Sequence, residues 1–390
     1  KVTSLMRKTM TAVVCCTAAA LAFSGCGLTE SNESSDGNIS VTSTDDACDL
    51  TAVEAPSGNL SFSVKNEGSR VTEFYLYGAD GLRIVGEIEN VGPGLSRDLV
   101  VKAAPGDYIT SCRPGMKGEG IRSDFKVNDS GEDVQIAGVD QATIDQAVAS
   151  YTAYVRDQAS QLVDQTTAFV DLYKAGKDDE ARTLFPVARQ HWERIEPVAE
   201  SFGDLDPKMD LREADLEAGQ KWTGWHLIEK DLWPPATGYT PLTQAQRVAY
   251  ATDLLANTKT LNTRVQKLEL TIDQIGNGSK GLLDEVASGK ITGEEDIWSH
   301  TDLYDFQANV DGARVAYEDV KPLLDVKDRA LSEDIAKRFD ELQTLLDKYR
   351  QGDEGFVFYE TVTEPQRKEL SDAVNALSEP LSKIAGAITL

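Results

Sequence analysis

The sequence is poor in histidine and in basic residues, and both shortages narrow the functions to consider. Its 390 residues contain 3 histidines, and none lies between residues 48 and 128, so a copper site built from two histidines and a cysteine lacks ligands there. Lys and Arg total 39 against 65 Asp and Glu, and the net charge of 39 − 65 = −26 repels a phosphate backbone. We therefore expect no nucleic-acid binding.

Long hydrophobic runs are missing after residue 26, so no later segment is predicted to span a membrane. Near the N-terminus, basic residues precede an apolar stretch over 12–23 that ends in small residues before Cys26. This order predicts a signal peptide over 1–25, with Cys26 as a lipid-modified residue that anchors the protein. The alternative is an ordinary cleaved signal in which Cys26 is incidental.

Three regions follow the predicted signal peptide. Residues 26–47 contain no aromatic and no basic residue, which predicts a disordered linker. Residues 48–128 alternate short β-branched and aromatic segments with Gly and Pro turns, which is typical of a β-sandwich. Residues 138–390 carry apolar residues at three- and four-residue steps, which predict long helices. The predicted fold class is an all-β sandwich followed by an all-α bundle.

Only two of the 5 cysteines, Cys48 and Cys112, lie outside the signal peptide and the lipidation site. Because an exported protein meets an oxidising environment, we expect a disulfide between them. The alternative is a thiolate metal or redox site, with help from Glu73 or Met116.

The stretch 221–233 is rich in tryptophan and predicts an amphipathic helix. His226 and Glu229 lie three residues apart within its apolar face, which points both side chains into the core. A buried carboxylate is either paired or bound to a metal. The sequence leaves open whether these two residues bind a metal or form a hydrogen-bonded core pair.

Other carboxylates lie near apolar faces of predicted helices. Glu196 falls inside the apolar face of residues 185–199, Glu193 lies at its margin, and Asp302 and Asp311 flank the apolar face of a later helix. A site of histidine and carboxylates suits iron, manganese or zinc. The zinc-protease motif H-E-x-x-H is absent, and its inverted form would need histidine where Lys230 stands.

Three phrases, at residues 191–207, 222–233 and 299–312, resemble the EfeO family, the periplasmic or lipoprotein component of the bacterial EfeUOB iron-uptake system. The resemblance covers essentially the whole chain after the signal peptide. It implies a cupredoxin-like domain at 48–128 and an imelysin-like helical domain at 138–390. The family's H-x-x-E motif falls on His226 and Glu229 and is taken to bind the transported iron.

The resemblance also implies a function and partners. We predict a non-enzymatic iron-binding lipoprotein, anchored on the outer face of the cell membrane or periplasmic, that holds ferrous or ferric iron, with copper or zinc as alternatives. The expected metal ligands are His226, Glu229, Glu196, Asp311 and Glu193. The implied partners are an EfeU-like permease and an EfeB-like haem peroxidase.

In the family's cupredoxin domain, residues matching Cys48, Cys112 and Glu73 are proposed to bind copper or iron. One rival function is therefore a secreted metal-dependent enzyme, either an imelysin-type peptidase or a ferrous-iron oxidase that acts through this domain. A structural or polysaccharide-binding lipoprotein is the other.

Overall fold

The computed structural model describes residues 37–79, 81, 84–116, 120–131, 141–352 and 355–389. In this part of the chain a region of β-strands precedes a region of helices, as the sequence predicts. The predicted signal peptide, Cys26 and the first half of the predicted linker lie outside the described residues.

The β region is a sandwich of two sheets, with strand orders β2-β1-β4-β7 and β3-β9-β8-β5-β6. Alternation along β4 buries Leu60, Phe62 and Val64 completely, as its apolar-polar pattern predicts. Phe62 meets Phe74 and Phe125 of the other sheet, with ring centroids 5.2 and 5.5 Å away. The strands are β1 (Asn38–Ser43), β2 (Cys48–Leu50), β3 (Glu54–Pro56), β4 (Gly58–Asn66), β5 (Thr72–Gly78), β6 (Ile84–Val91), β7 (Ser96–Ala103), β8 (Gly106–Cys112) and β9 (Ile121–Asn128).

The predicted linker over 26–47 is wrong in its second half, because strand β1 lies there. β1 pairs in parallel with β4, and Ile39 and Val41 are each 1% exposed in the sandwich core. These two apolar residues alternate with Ser and Thr, a strand pattern that the polar composition of the whole stretch hid. The β domain therefore begins at about residue 38.

The two remaining cysteines join the two sheets. Cys48 in β2 and Cys112 in β8 form a disulfide, so the expected pairing is present and the alternative thiolate metal site is wrong, since neither sulfur is a thiolate. Glu73 instead accepts a hydrogen bond of 3.0 Å from the Tyr75 hydroxyl and lies 3.3 Å from Arg113. Met116 lies in a turn with a φ of 57°.

Long helices form the second region. Of the apolar positions that predict its first helix, Tyr151, Val155, Ala159, Leu162 and Phe169 are almost fully buried. The helices are α1 (Gln141–Lys174), α2 (Asp178–Glu193), α3 (Glu196–Glu200), α4 (Asp206–Met209), α5 (Trp225–Leu232), α6 (Gln244–Val265), α7 (Ile272–Ser288), α8 (Asp302–Lys327), α9 (Arg329–Leu346), α10 (Glu364–Leu381) and α11 (Ile384–Thr389). A short hairpin of β10 (Arg350–Gln351) and β11 (Gly355–Phe356) follows α9.

Two of the predicted helices are shorter than expected. The helix over 185–199 is interrupted between Glu193 and Glu196, next to Pro197, which has no N–H for the helical hydrogen-bond ladder. The helix over 221–233 begins only at Trp225, because Gly224 has a φ of 95° that a helix cannot contain. Both interruptions lie beside the candidate site described below.

Helix α7 docks its N-terminal end on the β-sandwich. The Asp273 carboxylate accepts a hydrogen bond of 2.7 Å from the Lys102 backbone N–H, and the Asn277 amide donates one of 2.9 Å to the Val100 carbonyl. None of the helices in the described residues is both long enough and apolar enough to cross a membrane.

Candidate metal centre

The short helix α5 places His226 and Glu229 in the interior of the helical region. His226 is 2% exposed and Glu229 is completely buried, as their position on the apolar face predicts. Trp225 and Ile228 pack into the core from the same helix. The Nδ1 atom of His226 lies 3.0 Å from Oε2 of Glu229, one helical turn away.

Glu229 is held by the loop that precedes α8. Its Oε1 atom accepts hydrogen bonds from the backbone N–H groups of Trp298 and Ser299, at 3.0 and 2.8 Å, and from the Ser299 hydroxyl at 2.9 Å. These donors fix the carboxylate, and its other oxygen fixes the imidazole ring through Nδ1. The Nε2 atom of His226 is thereby directed away from Glu229.

Two carboxylates that the sequence analysis missed lie around Nε2 of His226. Oδ1 of Asp210 is 3.5 Å from Nε2, and Oε1 of Glu295 is 3.4 Å from it. Both contacts lack the geometry of a hydrogen bond, so this buried nitrogen has no hydrogen-bond partner. The result is a buried imidazole nitrogen between two carboxylate oxygens.

Arg189 of α2 neutralises part of this acidic interior. Its guanidinium is completely buried and donates to carboxylates on several elements: Glu193 and Asp210, then Glu295 and Asp305 at 3.2 Å each. The carboxylates therefore come from α2, the end of α4, the loop before α8, and α8 itself. Arg189 holds these four segments together around His226.

The predicted ligands Glu193 and Glu196 lie next to this cluster but pair with a lysine. Nζ of Lys290 is 3.0 Å from Oε2 of Glu193 and 3.1 Å from Oε2 of Glu196. The Asn309 amide donates to the same two oxygens, at 3.2 and 2.9 Å. With Asp210, the two glutamates offer oxygens that all lie within 4.8 Å of one another.

Asp311, the remaining predicted ligand, is not brought to the site. Its side chain is 38% exposed, and it contacts Arg194 at 3.3 Å and the Gln307 amide at 2.8 Å. Asp305, six residues earlier in α8, reaches the buried cluster through Arg189. Asp311 therefore lies away from the buried cluster, and the prediction that it is a ligand has no support from its position.

The surroundings of the imidazole shift its pKa strongly. Burial and the Arg189 guanidinium lower the pKa of His226. The three carboxylates around the ring, Glu229, Glu295 and Asp210, outweigh both effects and raise it to about 10. Without a bound cation the ring is therefore protonated at neutral pH, so a proton occupies the position that faces the two carboxylates.

Several carboxyl groups of the cluster also have shifted pKa values. Burial, together with the neighbouring Glu196, raises the pKa of Glu193 to about 8, and burial together with Glu229 raises that of Asp296 to about 7. Glu295 has a pKa well below its usual value, because Lys290 and His226 outweigh the effect of burial. The interior thus holds more acidic groups than cations, and added positive charge would be favourable there.

The donor atoms fit a metal ion. Two ligands in a tetrahedral arrangement, each about 2.1 Å from the ion, lie roughly 3.4 Å apart. The separations of 3.4 and 3.5 Å from Nε2 of His226 to Glu295 and Asp210 match that spacing. In the described residues, four sets of ligand atoms lie within 4.8 Å of one another: Asp210–His226–Glu295, His226–Glu229–Asp296, Glu193–Glu196–Asp210 and Glu196–Glu200–Glu285.

The residues that the sequence analysis missed have weak sequence signals. Asp210 follows the end of a four-residue helix, and Glu295 and Asp296 lie in an irregular loop, so none has a periodic pattern around it. Asp305 of α8 did carry a signal, because it precedes Phe306 on the same helix as Asp302, which the sequence analysis names, and both carboxylates are completely buried.

Comparison with known proteins agrees with this architecture. A family model described as Imelysin matches residues 147–384, and one described as a cupredoxin-like domain matches residues 13–121. The chain is 45% identical over 276 residues to an Efem/EfeO family lipoprotein of Staphylococcus haemolyticus, which covers 69% of this chain and 92% of that protein.

A second relative matches almost the whole chain. The chain is 35% identical over 357 residues to the iron uptake system component EfeO of Escherichia coli, which covers 90% of this chain and 92% of that protein. The matches to the two domain models and to these relatives place both halves of the chain in one family. The chain belongs to the EfeO family, with a cupredoxin-like domain followed by an imelysin domain.

Proposed function

We propose that this protein is an iron-uptake component that captures iron at the buried centre around His226 and delivers it to a membrane permease. The observation that carries the proposal is the Nε2 atom of His226, which is buried without a hydrogen-bond partner between the carboxylates of Asp210 and Glu295. The relative from Escherichia coli is an iron uptake system component, which indicates iron as the metal.

In this proposal each residue of the centre has a separate part in binding. His226, Asp210 and Glu295 are the ligands, and their nitrogen and oxygen donors suit ferrous and ferric iron, with zinc as a competitor. Glu229 is a positioning residue, because both of its oxygens are occupied by donors, and it orients the imidazole. Arg189 donates to the same Asp210 and Glu295 oxygens and holds these carboxylates together.

The location and partners follow from the same family membership. We propose that Cys26 carries a lipid that holds the protein on the outer face of the cell membrane. An EfeU-like permease would receive the iron, and an EfeB-like haem peroxidase would act in the same system. The negative charge of −26 would concentrate cations around the protein.

An enzymatic role through the β domain has less support. A ferrous-iron oxidase of the predicted kind would use Cys48, Cys112 and Glu73, but the cysteines form a disulfide and Glu73 pairs with Tyr75 and Arg113. We propose binding and delivery, without turnover.

Calorimetric titration of the His226→Ala variant tests this function. We expect the wild-type protein to bind ferrous iron under anaerobic conditions, and the variant to lose affinity by more than about 100-fold, because a ligand is removed. His300→Ala is the matched control, since the His300 side chain is 40% exposed and its charged neighbour is Glu360. Unchanged iron affinity in His226→Ala, with the fold intact by circular dichroism, would show that the centre is elsewhere.

A further inference from the structure

Lys290 is a lysine with no exposed surface, which is rare because an ammonium group is costly to remove from water. It begins the single turn of 3-10 helix, Lys290–Thr292, that follows α7. Its Nζ atom lies between Glu193 and Glu196, at 3.0 and 3.1 Å from their Oε2 atoms. The proposed function gives this lysine no role.

The ammonium group lies beside two members of a set of possible metal ligands. Glu193 and Glu196 belong, with Asp210, to a group of carboxylates whose oxygens lie within 4.8 Å of one another. Asn309 holds both glutamates through its amide N–H groups, so the carboxylates are fixed in place. The Lys290 ammonium group is therefore a cation that the chain itself places between these two carboxylates.

We propose that Lys290 fills a second cation position, formed by Glu193, Glu196 and Asp210, and so limits the centre to one metal ion. The inference rests on the proposed function, since the single ion is the one at His226, Asp210 and Glu295. Asp210 belongs to both positions, so the two cations lie close together and share one carboxylate.

The physical reason is the cost of unpaired buried charge. Without the ammonium group, the completely buried Glu193 would keep Arg189 and Asn309 as donors and the nearly buried Glu196 would keep Asn309, but the pair would lose the cation between them. A divalent ion that enters the vacated position would restore the lost positive charge. Removal of the lysine charge should therefore create a second metal site instead of weakening the first.

The test is the metal content of Lys290→Met, which keeps a long side chain and removes the charge. Equilibrium dialysis against Mn²⁺, followed by elemental analysis, is expected to give one ion in the wild-type protein and two in the variant. Lys280→Met is the matched control: Lys280 is also a largely buried lysine, its side chain is 17% exposed, and its partner is Asp284 of the same helix. This control should bind one ion.

Each outcome is decisive. One ion in a folded Lys290→Met protein would overturn the inference and leave the proposed function intact. No ion in the wild-type protein would contradict the proposed function instead. If Lys290→Met is unfolded without metal, saturating Mn²⁺ should restore its thermal unfolding transition, because the ion replaces the missing charge. A variant that stays unfolded at saturating Mn²⁺ would also overturn the inference.

Discussion

The two ring nitrogens of His226 have different neighbours, and this difference defines the centre. Nδ1 lies 3.0 Å from Glu229, whose other oxygen accepts three hydrogen bonds from residues 298 and 299. Nε2 has no hydrogen-bond partner and faces Asp210 and Glu295. The Glu229 contact keeps the proton on Nδ1 when the ring is neutral, which leaves the Nε2 lone pair available to a metal ion.

Proton release should therefore accompany metal binding. The pKa of His226 is raised to about 10 in the metal-free protein, whereas a coordinated nitrogen carries no proton. Between pH 6 and 8 we expect at least one proton to be released per ion, so that the apparent affinity rises about tenfold per pH unit. Titration calorimetry in buffers of different ionisation enthalpy measures the number of protons. Release of none at pH 7 would contradict His226 as a ligand.

The same raised pKa affects the stability of the metal-free protein. The folded-state pKa lies above the ordinary value of about 6.5, so protonated His226 stabilises the fold. This contribution is fully present below about pH 6.5 and is lost as the pH rises through about 10. A bound metal ion takes the place of the proton and removes this dependence.

At the scale of elements, the segment 222–224 fixes the position of Asp210. Nε1 of Trp222 donates to the Leu211 carbonyl at 2.7 Å, and the Thr223 hydroxyl donates to the Lys208 carbonyl at 2.8 Å. These two hydrogen bonds hold the backbone before and after Asp210. Because α5 begins directly after Gly224, the segment sets the separation between Asp210 and His226.

Gly224→Ala should disturb both stability and metal binding. Gly224 has a φ of 95°, and an added Cβ would collide with the Met209 backbone carbonyl, which must then move together with Asp210. We expect the free energy of unfolding to fall by at least about 2 kcal/mol and the iron affinity to fall with it. Thermal unfolding and calorimetry measure the two effects.

Gly219→Ala is the matched control for the backbone strain. Gly219 has a similar φ of 87°, but nothing lies within 4 Å of an added Cβ. It should lose only the roughly 1 kcal/mol that a positive φ costs alanine and should keep its iron affinity. Equal effects of the two substitutions on binding would disprove the role of the Gly224 contact.

At the scale of the whole molecule, the disulfide and the proposed metal centre belong to different domains. Cys48 and Cys112 are 64 residues apart in sequence and join the two sheets of the sandwich, whereas the residues of the proposed metal centre lie in helices and loops of the second region. We therefore expect the disulfide to stabilise the β domain without taking part in metal capture.

A Cys48→Ala, Cys112→Ala double variant tests this separation. Loss of a cross-link that closes a loop of this length should lower the free energy of unfolding of the β domain by about 4 kcal/mol. Calorimetry should still give one iron ion per protein, with the affinity of the wild type. Loss of the ion together with the cysteines would move the metal site to the β domain.

Much of the fold could be predicted from the sequence, because the patterns that indicate strands and helices are local. Alternation revealed strands such as β4, three- and four-residue spacing revealed α1, and a shared helical face paired His226 with Glu229. The prediction failed where composition hid a pattern, as in β1, and where one residue interrupted a helix, as at Gly224.

The sequence by itself determined the order of the domains and the two residues of the motif, because these depend on neighbours in the chain. It also determined the cysteine pair, because only two cysteines remain outside the signal peptide and the lipidation site. Only the tertiary structure decided the rest of the centre. Asp210 and Glu295 lie in irregular segments and reach His226 through long-range packing around Arg189, while Asp311 remains near the surface. Contacts between distant segments leave no periodic signal, so the proposed ligand set became visible only in the folded chain.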